Sequence, residues 1–506
     1  MKIFHKLTSR FALVSLALII QIAVLLLFTT KFQGSLFAVN AVMRLFSLVV
    51  ASIMLNQPSN PAMKLTWMVF ILVLPIFGSL LYLITGGKRP AKKLRHAIEA
   101  SQQNCKSYIA DKSSALLDLK SENEELYMQA GYLESEGFPI YRNTDCRYFE
   151  LGDTAFPMML NELEKAEKFI FMEYFILAEG EMLGKIISVL ERKAREGVDV
   201  RLIYDDVGSI FNLPRGFDKK LEAKGIKCHA FNPFVPFISS VMNNRDHRKI
   251  MVIDSKVAFS GGVNLADEYI NKIERFGHWK DNVFMIKGDG VRGFTLLFLE
   301  MWNAFEAKDE ALDKFMPPAG YRAVQHGYVQ PFGDSPLDDE QTSENVYINA
   351  IMSAKRYIYI FTPYLIPDNE MTTVLCLAAK KGVDVRLILP GIPDKKMVYS
   401  MTKSYYGRLI KSGVKIYKYS RGFVHSKGFV SDDVIGVLGS INLDFRSLYH
   451  HFECGCVLYN SPIVLEIKKD ALETIKECEK IEKYQKFDGI IGSTYHAILR
   501  LLAPLV

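Results

Sequence analysis

The sequence predicts an α/β protein with a duplicated C-terminal part that follows N-terminal membrane helices. Three observations predict this arrangement: two long uncharged stretches near the N-terminus, a set of strand and helix segments that occurs twice, and one polar motif that recurs at matching places in both copies. The chain has 506 residues, which is more than a single hydrophobic core usually supports. With 49% hydrophobic and 23% charged residues, the composition excludes wholesale disorder, a collagen-like repeat and a uniform coiled coil.

The first 87 residues are predicted to form a membrane anchor. Residues 12–30 and 65–84 contain no charged side chain. At about 1.5 Å per residue, each stretch is long enough to cross a hydrocarbon core of about 30 Å. Residues 36–55 are also apolar but contain Asn40 and Arg44, so they are predicted to be a third span, a re-entrant helix or an interfacial helix.

Basic residues flank both outer ends of this anchor and predict its orientation. Three basic residues precede residue 12, and five lie between residues 88 and 95. Under the positive-inside rule both ends are cytoplasmic, which favours two crossings. A third full crossing would move the N-terminus outside and leave the large C-terminal part cytoplasmic. We therefore expect a multi-pass protein of the cell membrane with cytoplasmic catalytic domains.

The charge distribution argues against nucleic acid as a partner. The net charge is +6, but no acidic residue precedes Glu99, and the first 98 residues contain eleven basic ones. The remaining chain has 51 basic and 56 acidic residues, a balance of −5, so a basic groove for a polyanion is not indicated. The seven cysteines are an odd number without paired CxxC motifs, which agrees with a reducing compartment and indicates neither a zinc nor a redox centre.

Beyond a polar connector, the chain repeats itself. AEKFIF at Ala166–Phe171 returns as AKRYIY at Ala354–Tyr359, and GVDVRLI at Gly197–Ile203 returns unchanged at Gly382–Ile388. Each copy reads as a strand, a helix and a buried strand, which is the pattern of βαβ units in a parallel or mixed sheet. The matches keep the same order over more than fifty residues, which chance does not explain. The predicted units are a polar helical connector at residues 88–135, a first domain at residues 136–320 and a second domain at residues 321–506.

Each copy continues with one polar motif, HxKxxxxD, followed by GxxN. The motif residues are His247, Lys249 and Asp254 in the first copy and His425, Lys427 and Asp432 in the second. On a strand, residues i and i+2 project from one face about 6.6 Å apart, so each His and Lys pair can hold one phosphate group. The GxxN segments add three predicted substrate-binding residues, Asn264, Ser440 and Asn442.

These residue types suit phosphoryl transfer without a metal. Two lysines and two asparagines can hold the non-bridging oxygens of a phosphodiester, one imidazole can attack phosphorus, and the other can protonate the leaving alcohol. We predict that Asp254 and Asp432 each fix a histidine tautomer and stabilise its protonated form. Two such motifs at matching places in a duplicated chain predict catalysis far more strongly than one would. No cofactor or metal is predicted, because no cluster of ligand residues has metal-site spacing along the sequence.

Through these motifs the chain resembles the phospholipase D superfamily, whose members pair two HKD motifs across a pseudo-twofold axis in one active site. Within that superfamily, the N-terminal spans, GGVNLADEY at Gly261, GSINLDFRS at Gly439 and RLLAPLV at Arg500 are similar to the bacterial cardiolipin synthases. The resemblance covers essentially the whole chain. It implies two α-β-α domains that share one active site, and transfer of a phosphatidyl group between two phosphatidylglycerol molecules to give cardiolipin and glycerol. It also implies that His247 is the nucleophile and His425 the general acid.

A phospholipase D hydrolase and a phosphatidylserine-forming transferase stay open as alternatives, because all three activities share the chemistry up to a phosphatidyl-histidine intermediate. Phosphatidylglycerol and anionic membrane lipid are the expected partners. The apolar segment Phe231–Met242 precedes His247 and is either a lip that dips into lipid or a buried strand or loop.

Five further residues near the motifs are candidates for supporting roles, with solvated or structural roles equally open. They are Glu173, Asp205, His450, His451 and Glu453. In the second motif Asp433 follows Asp432, which leaves open which of the two carboxylates orients His425.

Overall fold

The fold was obtained as a computed structural model of the chain. The structure describes residues 19–20, 22–23, 26–27, 37–86, 92–106, 108, 114–234, 243–306, 311–318, 320–482 and 489–505. Most of the predicted span at 12–30 lies outside the described residues, as do residues 235–242 of the apolar segment that precedes His247.

Three helices form the described N-terminal region: α1 (Phe37–Leu55), α2 (Pro61–Val73) and α3 (Pro75–Thr85). The single span predicted for residues 65–84 is therefore divided. The division falls at Leu74, which has non-helical dihedrals, and Pro75 begins the next helix because it has no N–H to donate to the preceding turn. The rings of Trp67 and Tyr82 lie 5.5 Å apart, whereas fifteen residues of straight helix would separate them by about 22 Å. Helix α3 thus folds back on α2. Within the described residues, no helix is both long enough and apolar enough to cross a membrane.

The N-terminal helices are attached to the second half of the catalytic part. Asn60 caps α2 by accepting a hydrogen bond from the N–H of Ala62, and its amide donates to Asp368 Oδ2 at 2.8 Å and to Tyr449 Oη at 2.7 Å. Thr66 donates to the carbonyl oxygen of Leu501 at 2.6 Å. These polar contacts fix the position of α2 relative to residues that lie more than 300 positions away along the chain.

Three connecting helices and two sheets with their flanking helices make up the rest of the chain. The connecting helices are α4 (Lys92–Lys106), α5 (Ser114–Glu122) and α6 (Glu124–Ser135). The strands of the first half are β1 (Thr144–Phe149), β2 (Phe169–Tyr174), β3 (Asp199–Asp205), β4 (Lys227–Phe231), β5 (Arg245–Asp246), β6 (Lys249–Ile253), β7 (Val257–Gly261), β8 (His278–Lys280) and β9 (Val283–Gly288). Its helices are α7 (Gly152–Glu164), α8 (Glu181–Arg195), α9 (Asp206–Ser209), α10 (Phe217–Glu222) and α11 (Val291–Glu306), with short 3-10 turns at Asp267–Ile270 and Leu312–Phe315.

The second half has the corresponding elements. Its strands are β10 (Tyr328–Asp334), β11 (Tyr357–Phe361), β12 (Leu365–Ile366), β13 (Asp384–Pro390), β14 (Lys415–Tyr419), β15 (Gly422–Val424), β16 (Gly428–Ser431), β17 (Ile435–Gly439), β18 (Leu443–Asp444), β19 (His451–Tyr459) and β20 (Cys478–Lys480). Its helices are α12 (Thr342–Ser353), α13 (Asn369–Lys380), α14 (Lys396–Lys411), α15 (Phe445–Tyr449), α16 (Ile463–Lys476) and α17 (Gly489–Leu502), followed by a 3-10 turn at Ala503–Leu505.

The two main sheets have the same strand order, which confirms the duplication. The first runs β1-β9-β7-β6-β2-β3-β4, and the second runs β10-β19-β17-β16-β11-β13-β14 with β20 added at its edge. In each sheet the strand from the first matched sequence segment pairs in parallel with the GVDVRLI strand and antiparallel with the strand of the polar motif. The motif strands β6 and β16 therefore lie inside the sheets, where neighbours on both sides hold them.

The two halves are joined by a shared core and by two short strand pairings. One hydrophobic cluster contains Phe171 and Phe284 of the first sheet together with Val430 and Cys456 of the second. In addition, β5 pairs in parallel with β19, and β8 pairs in parallel with β15. Each pairing brings a segment that precedes one motif histidine against a strand of the opposite half. All seven cysteines are free thiols.

Candidate active site

The strand pairings between the halves place the two motif histidines. His247 follows β5, and its backbone N–H donates to the carbonyl oxygen of Phe452 at 2.9 Å. His425 follows β15, and its N–H donates to the carbonyl oxygen of Lys280 at 2.7 Å. Both contacts are backbone hydrogen bonds to the opposite half, so the position of each histidine depends on how the halves are docked.

Each imidazole is held by a carboxylate of the opposite half. His247 Nδ1 lies 2.9 Å from Glu453 Oε1, and His425 Nδ1 lies 2.6 Å from Asp281 Oδ2. Both carboxylates are fully buried. A carboxylate on Nδ1 favours the tautomer with the proton on Nδ1, which leaves the Nε2 lone pair available, and it stabilises the imidazolium form.

The motif aspartates have a different role from the one predicted. The Asp254 carboxylate accepts hydrogen bonds from the backbone N–H groups of Glu167, Lys168 and Phe169 at 2.8 to 2.9 Å. Asp254 lies beyond the far end of β6, in the turn to β7, with φ of 52°. A tight hairpin turn of this kind requires a positive φ, and Asp tolerates that left-handed conformation better than most residues. Asp254 therefore stabilises the start of β2 and does not contact His247.

The second motif repeats this arrangement. Asp432 accepts hydrogen bonds from the backbone N–H groups of Lys355, Arg356 and Tyr357 and has the same φ of 52°. Asp433 binds the side chains of Arg356, Tyr357 and Lys468. Neither Asp432 nor Asp433 orients His425, because the carboxylate that contacts its Nδ1 belongs to Asp281.

The two lysines are buried cations beside the histidines. Lys249 and Lys427 are 1% and 0% exposed, and each ammonium group donates to the carbonyl oxygen of the histidine two residues before it. Lys427 Nζ also lies 2.6 Å from His425 Nδ1. Burial lowers the pKa of Lys249 to about 8 and that of Lys427 to about 7. A bound phosphate would restore the charge of both by raising these pKa values.

The charged groups of the two motifs influence one another. Burial lowers the pKa of both histidines well below the usual value, and the charges of Lys249 and Lys427 lower it further in each case. Lys395, at the start of α14, adds to the positive potential at both imidazoles. This exposed lysine has no counterpart in the motif and was not predicted. The combined field attracts an anionic substrate.

The three predicted substrate-binding residues differ in their hydrogen-bond partners within the protein. Asn264 is committed to the protein, because its Oδ1 accepts from the N–H of Ile176 and its amide donates to Tyr269 Oη. Asn442 is buried, and its Oδ1 has no hydrogen-bond partner among the residues that the structure describes. Ser440 donates to Glu453 Oε2 and so supports the carboxylate that holds His247. In the first half, the residue that corresponds to Ser440 is Gly262. It leaves room for Asp281, since a Cβ at Gly262 would lie 2.0 Å from Asp281 Oδ1.

The remaining candidates divide between the site and the framework beneath it. Burial raises the pKa of Glu173 well above its usual range and that of Asp205 to about 7. Asp205 accepts from the backbone N–H groups of Gly208 and Asp246, which fixes the segment before His247. His450 lines a cavity beside the N-terminal helices.

His451 belongs to the site itself. Its ring lies 5.4 Å from that of His247, and its Nδ1 lies 3.7 Å from Glu453 Oε1. One nitrogen of each imidazole and one oxygen of Glu453 lie within 4.8 Å of one another, a spacing that could hold a metal ion. Sequence analysis singled out His451 and Glu453 but did not place them beside His247, because spacing along the chain cannot show contacts between residues that are 206 positions apart.

Two residues near the imidazoles were missed by sequence reasoning. Asp281 could have been found by aligning HWKD at His278 with HHFE at His450, because both segments follow a GxxN motif. Phe175 lies against His247 with ring centroids 4.9 Å apart, and Lys249 Nζ lies 5.4 Å from the centre of its ring. No motif marks Phe175, whose place follows from the end of β2 alone.

Taken together, the geometry suits double displacement at a phosphodiester. Two imidazoles, each held at Nδ1 by a carboxylate of the opposite half, can act as a nucleophile and as an acid and base. Two buried lysines can stabilise the charge that grows on the non-bridging oxygens.

Two family profiles match the chain. The family described as cardiolipin synthase, PLD-like domain, matches residues 159–289 and 347–474. The family described as phospholipase D-nuclease N-terminal matches residues 45–87, which include most of α1 and all of α2 and α3.

Individual relatives cover nearly the whole chain. An uncharacterized protein of Streptococcus mutans is 46% identical over 456 residues, which are 90% of this chain and 98% of the relative. A cardiolipin synthase of Geobacillus kaustophilus is 32% identical over 508 residues and is covered, like this chain, to 99%. Among solved structures, the phosphatidylserine synthase of Haemophilus influenzae has a TM-score of 0.56 at 14% identity, over 74% of this chain and 98% of that one. At this identity the structural likeness concerns the fold alone.

Proposed function

The chain belongs to the cardiolipin synthase family of phospholipase D-like proteins, and from this we propose that it transfers a phosphatidyl group from one phosphatidylglycerol to another, giving cardiolipin and glycerol. One observation carries the proposal beyond family membership. The two motif histidines face one site, and each is held at Nδ1 by a carboxylate from the opposite half.

In the first step, His247 Nε2 attacks the phosphorus of the donor lipid. The bond from nitrogen to phosphorus forms while the bond from phosphorus to the glycerol oxygen breaks, and His425 gives its proton to that oxygen. In the second step, His425 takes the proton from a hydroxyl of the acceptor lipid. The acceptor oxygen then displaces His247 from phosphorus, and both histidines return to their starting state.

The environment of His425 supports its role as the acid. Burial raises the pKa of Asp281 to about 7, so this carboxyl group is partly protonated near neutral pH. A partly protonated partner stabilises an imidazolium less than a full carboxylate does, and His425 therefore gives up its proton more readily. The negative phosphodiester raises the pKa of His425, so the imidazole takes up a proton from solvent when substrate binds.

The described helices of the N-terminal region support a location at the membrane. Large apolar side chains that are more than half exposed are concentrated on these helices. They include Val42, Leu45, Leu48, Leu65, Leu72 and Val73. Such a surface favours contact with lipid. Together with the uncharged residues 12–30, it supports a membrane-bound enzyme whose catalytic halves are cytoplasmic.

A cavity between the N-terminal helices and residues of both catalytic halves offers a place for lipid. It has a volume of about 830 Å³, and its lining includes Trp67 and Tyr82 on one side and Asn244 and Arg446 on the other. Asn244 lies three residues before His247. The combination of aromatic walls with a guanidinium group suits the glycerol backbone and phosphate of an anionic lipid.

The test is a product assay with the purified full chain in vesicles that contain phosphatidylglycerol as the sole lipid. We expect cardiolipin and glycerol in equal amounts, and loss of both products in His247→Ala and in His425→Ala. Phosphatidic acid without cardiolipin would identify a hydrolase. Phosphatidylserine formed in place of cardiolipin on addition of serine would identify the other transferase.

The assignment of the two histidines is tested by trapping. After a rapid quench of the reaction with radiolabelled phosphatidylglycerol, we expect the label on His247. Label on His425 in His247→Ala would reverse the two roles.

A further inference from the structure

His451 and Glu453 lie on the same face of β19, next to His247. Because side chains alternate along a strand, residues 451 and 453 project together, and Phe452 between them projects to the other side. The nearest approaches are 2.9 Å from His247 Nδ1 to Glu453 Oε1 and 3.7 Å from His451 Nδ1 to the same oxygen. The site therefore presents two imidazole nitrogens and one carboxylate oxygen in a compact group.

His451 has no hydrogen-bond partner that explains its burial. The residue is 8% exposed, and within the described part of the chain neither ring nitrogen has a partner at hydrogen-bond distance; Glu453 Oε1 lies 3.7 Å from Nδ1. Buried polar groups in folded proteins are almost always hydrogen-bonded, so an orphaned imidazole in a catalytic site calls for a ligand.

We propose that His247 Nδ1, His451 Nδ1 and Glu453 Oε1 form a binding site for Zn²⁺, whose occupation inhibits the enzyme. Two ligands of a tetrahedral zinc ion lie about 3.4 Å apart when the metal bonds are about 2.1 Å long. The two observed separations, 2.9 and 3.7 Å, lie on either side of that value. Two histidines and one glutamate are a donor set that zinc accepts, with the fourth position left to water.

The inhibition follows from the tautomer of His247 and rests on the proposed function. With zinc on Nδ1, the proton that Nδ1 donates to Glu453 moves to Nε2. The Nε2 lone pair is then lost, and His247 can no longer attack phosphorus. Because the ammonium groups of Lys249 and Lys427 repel a cation, binding is weaker than at a structural zinc site, and we expect it to be reversible.

The other half of the duplication provides an internal control. In the corresponding position, next to Asp281, the chain has Trp279, whose ring lies 5.3 Å from that of His425. An indole offers only an N–H donor and cannot bind a metal. We therefore expect one inhibitory zinc ion per chain.

The experiment uses the tag-free full chain in detergent and measures zinc bound at equilibrium together with cardiolipin formation. We compare wild type with His451→Phe, His451→Gln and a matched control, His229→Phe, whose imidazole pairs with Glu306 outside the site. We expect one Zn²⁺ per chain in wild type and in the control, with inhibition that EDTA reverses. In both His451 variants we expect the half-inhibitory zinc concentration, relative to each variant's own metal-free rate, to rise at least about tenfold.

Two results would overturn the inference: equal zinc binding in wild type and both His451 variants, or a bound zinc that leaves turnover unchanged. His247→Ala separates this inference from the proposed function. If that variant binds zinc weakly but still makes cardiolipin, the assignment of the nucleophile fails and the metal site stands. If it is inactive and binds zinc as wild type does, the metal site fails and the proposed function stands.

Discussion

The carboxylate that supports catalysis by His247 is expected to be Glu453 and not Asp254 of its own motif. We compare Glu453→Gln with Asp254→Asn, two substitutions that remove one negative charge with little change in shape. Glu453 contacts the imidazole at 2.9 Å, whereas Asp254 binds three backbone N–H groups at the start of β2. The two variants should therefore fail in different ways.

The size of the catalytic effect follows from the distance. At 2.9 Å, a carboxylate and an imidazolium attract by about 6 kcal/mol at an effective dielectric constant of about 20. This is an upper bound, because glutamine keeps one hydrogen-bond acceptor. We expect kcat of Glu453→Gln to fall by about 10²- to 10⁴-fold. Asp254→Asn should lower the free energy of unfolding by about 1–3 kcal/mol. The amide NH₂ of asparagine would face a backbone N–H that now donates to a carboxylate oxygen, so one charge-assisted hydrogen bond is lost and two donors meet.

The assay measures cardiolipin formed per folded molecule, with the folded fraction taken from thermal unfolding followed by circular dichroism. For Asp254→Asn we expect a lower Tm and a kcat within about tenfold of wild type. The reasoning would be refuted if Asp254→Asn lost as much kcat as Glu453→Gln while both proteins were fully folded.

Four further outcomes are expected. Lys249→Ala and Lys427→Ala should each lower turnover by about 10²- to 10³-fold with little change in Tm, because each removes a cation from the site where transition-state charge grows; near-normal cardiolipin output from either would contradict a shared site. The kcat/KM for phosphatidylglycerol should fall as pH rises through about 7 to 8, because Lys427 and Lys249 lose their protons in that range; a rate that still rises above about pH 9 would count against the lysines as cations. EDTA in metal-free buffer should leave activity undiminished, whereas a loss that a divalent ion restores would contradict the two-histidine mechanism. Asn60→Ala should lower stability by about 1–3 kcal/mol by freeing α2 from Asp368 and Tyr449, and the exposed Asn56→Ala should have almost no effect in the same thermal scan.

Much of the catalytic fold could be predicted from local sequence. The alternation and composition of the matched segments identify β2, β3, β11 and β13, because a strand buried on both faces needs a continuous apolar run. The motif histidines and lysines were also predictable as one group, because the same spacing occurs in both copies. The expectation that each pair lies on a strand was wrong, since His247 lies between β5 and β6, and His425 and Lys427 lie between β15 and β16. The break at Leu74 was not predicted, although Pro75 marks it, because an uncharged run of twenty residues reads as one helix until α3 is seen folded against α2.

The sequence by itself determined the duplication, the matched strands β2, β3, β11 and β13, and the two motifs, because each depends on residues that are close along the chain. The tertiary structure alone decided which carboxylate holds which histidine. Glu453 lies 206 residues from His247, and Asp281 lies 144 residues from His425, so no local pattern links them. Their pairing arises only when β5 aligns with β19 and β8 with β15. The motif aspartates, which lie nearer in sequence, are carried to the far ends of their strands, at about 3.3 Å per residue, and there they can only bind the backbone.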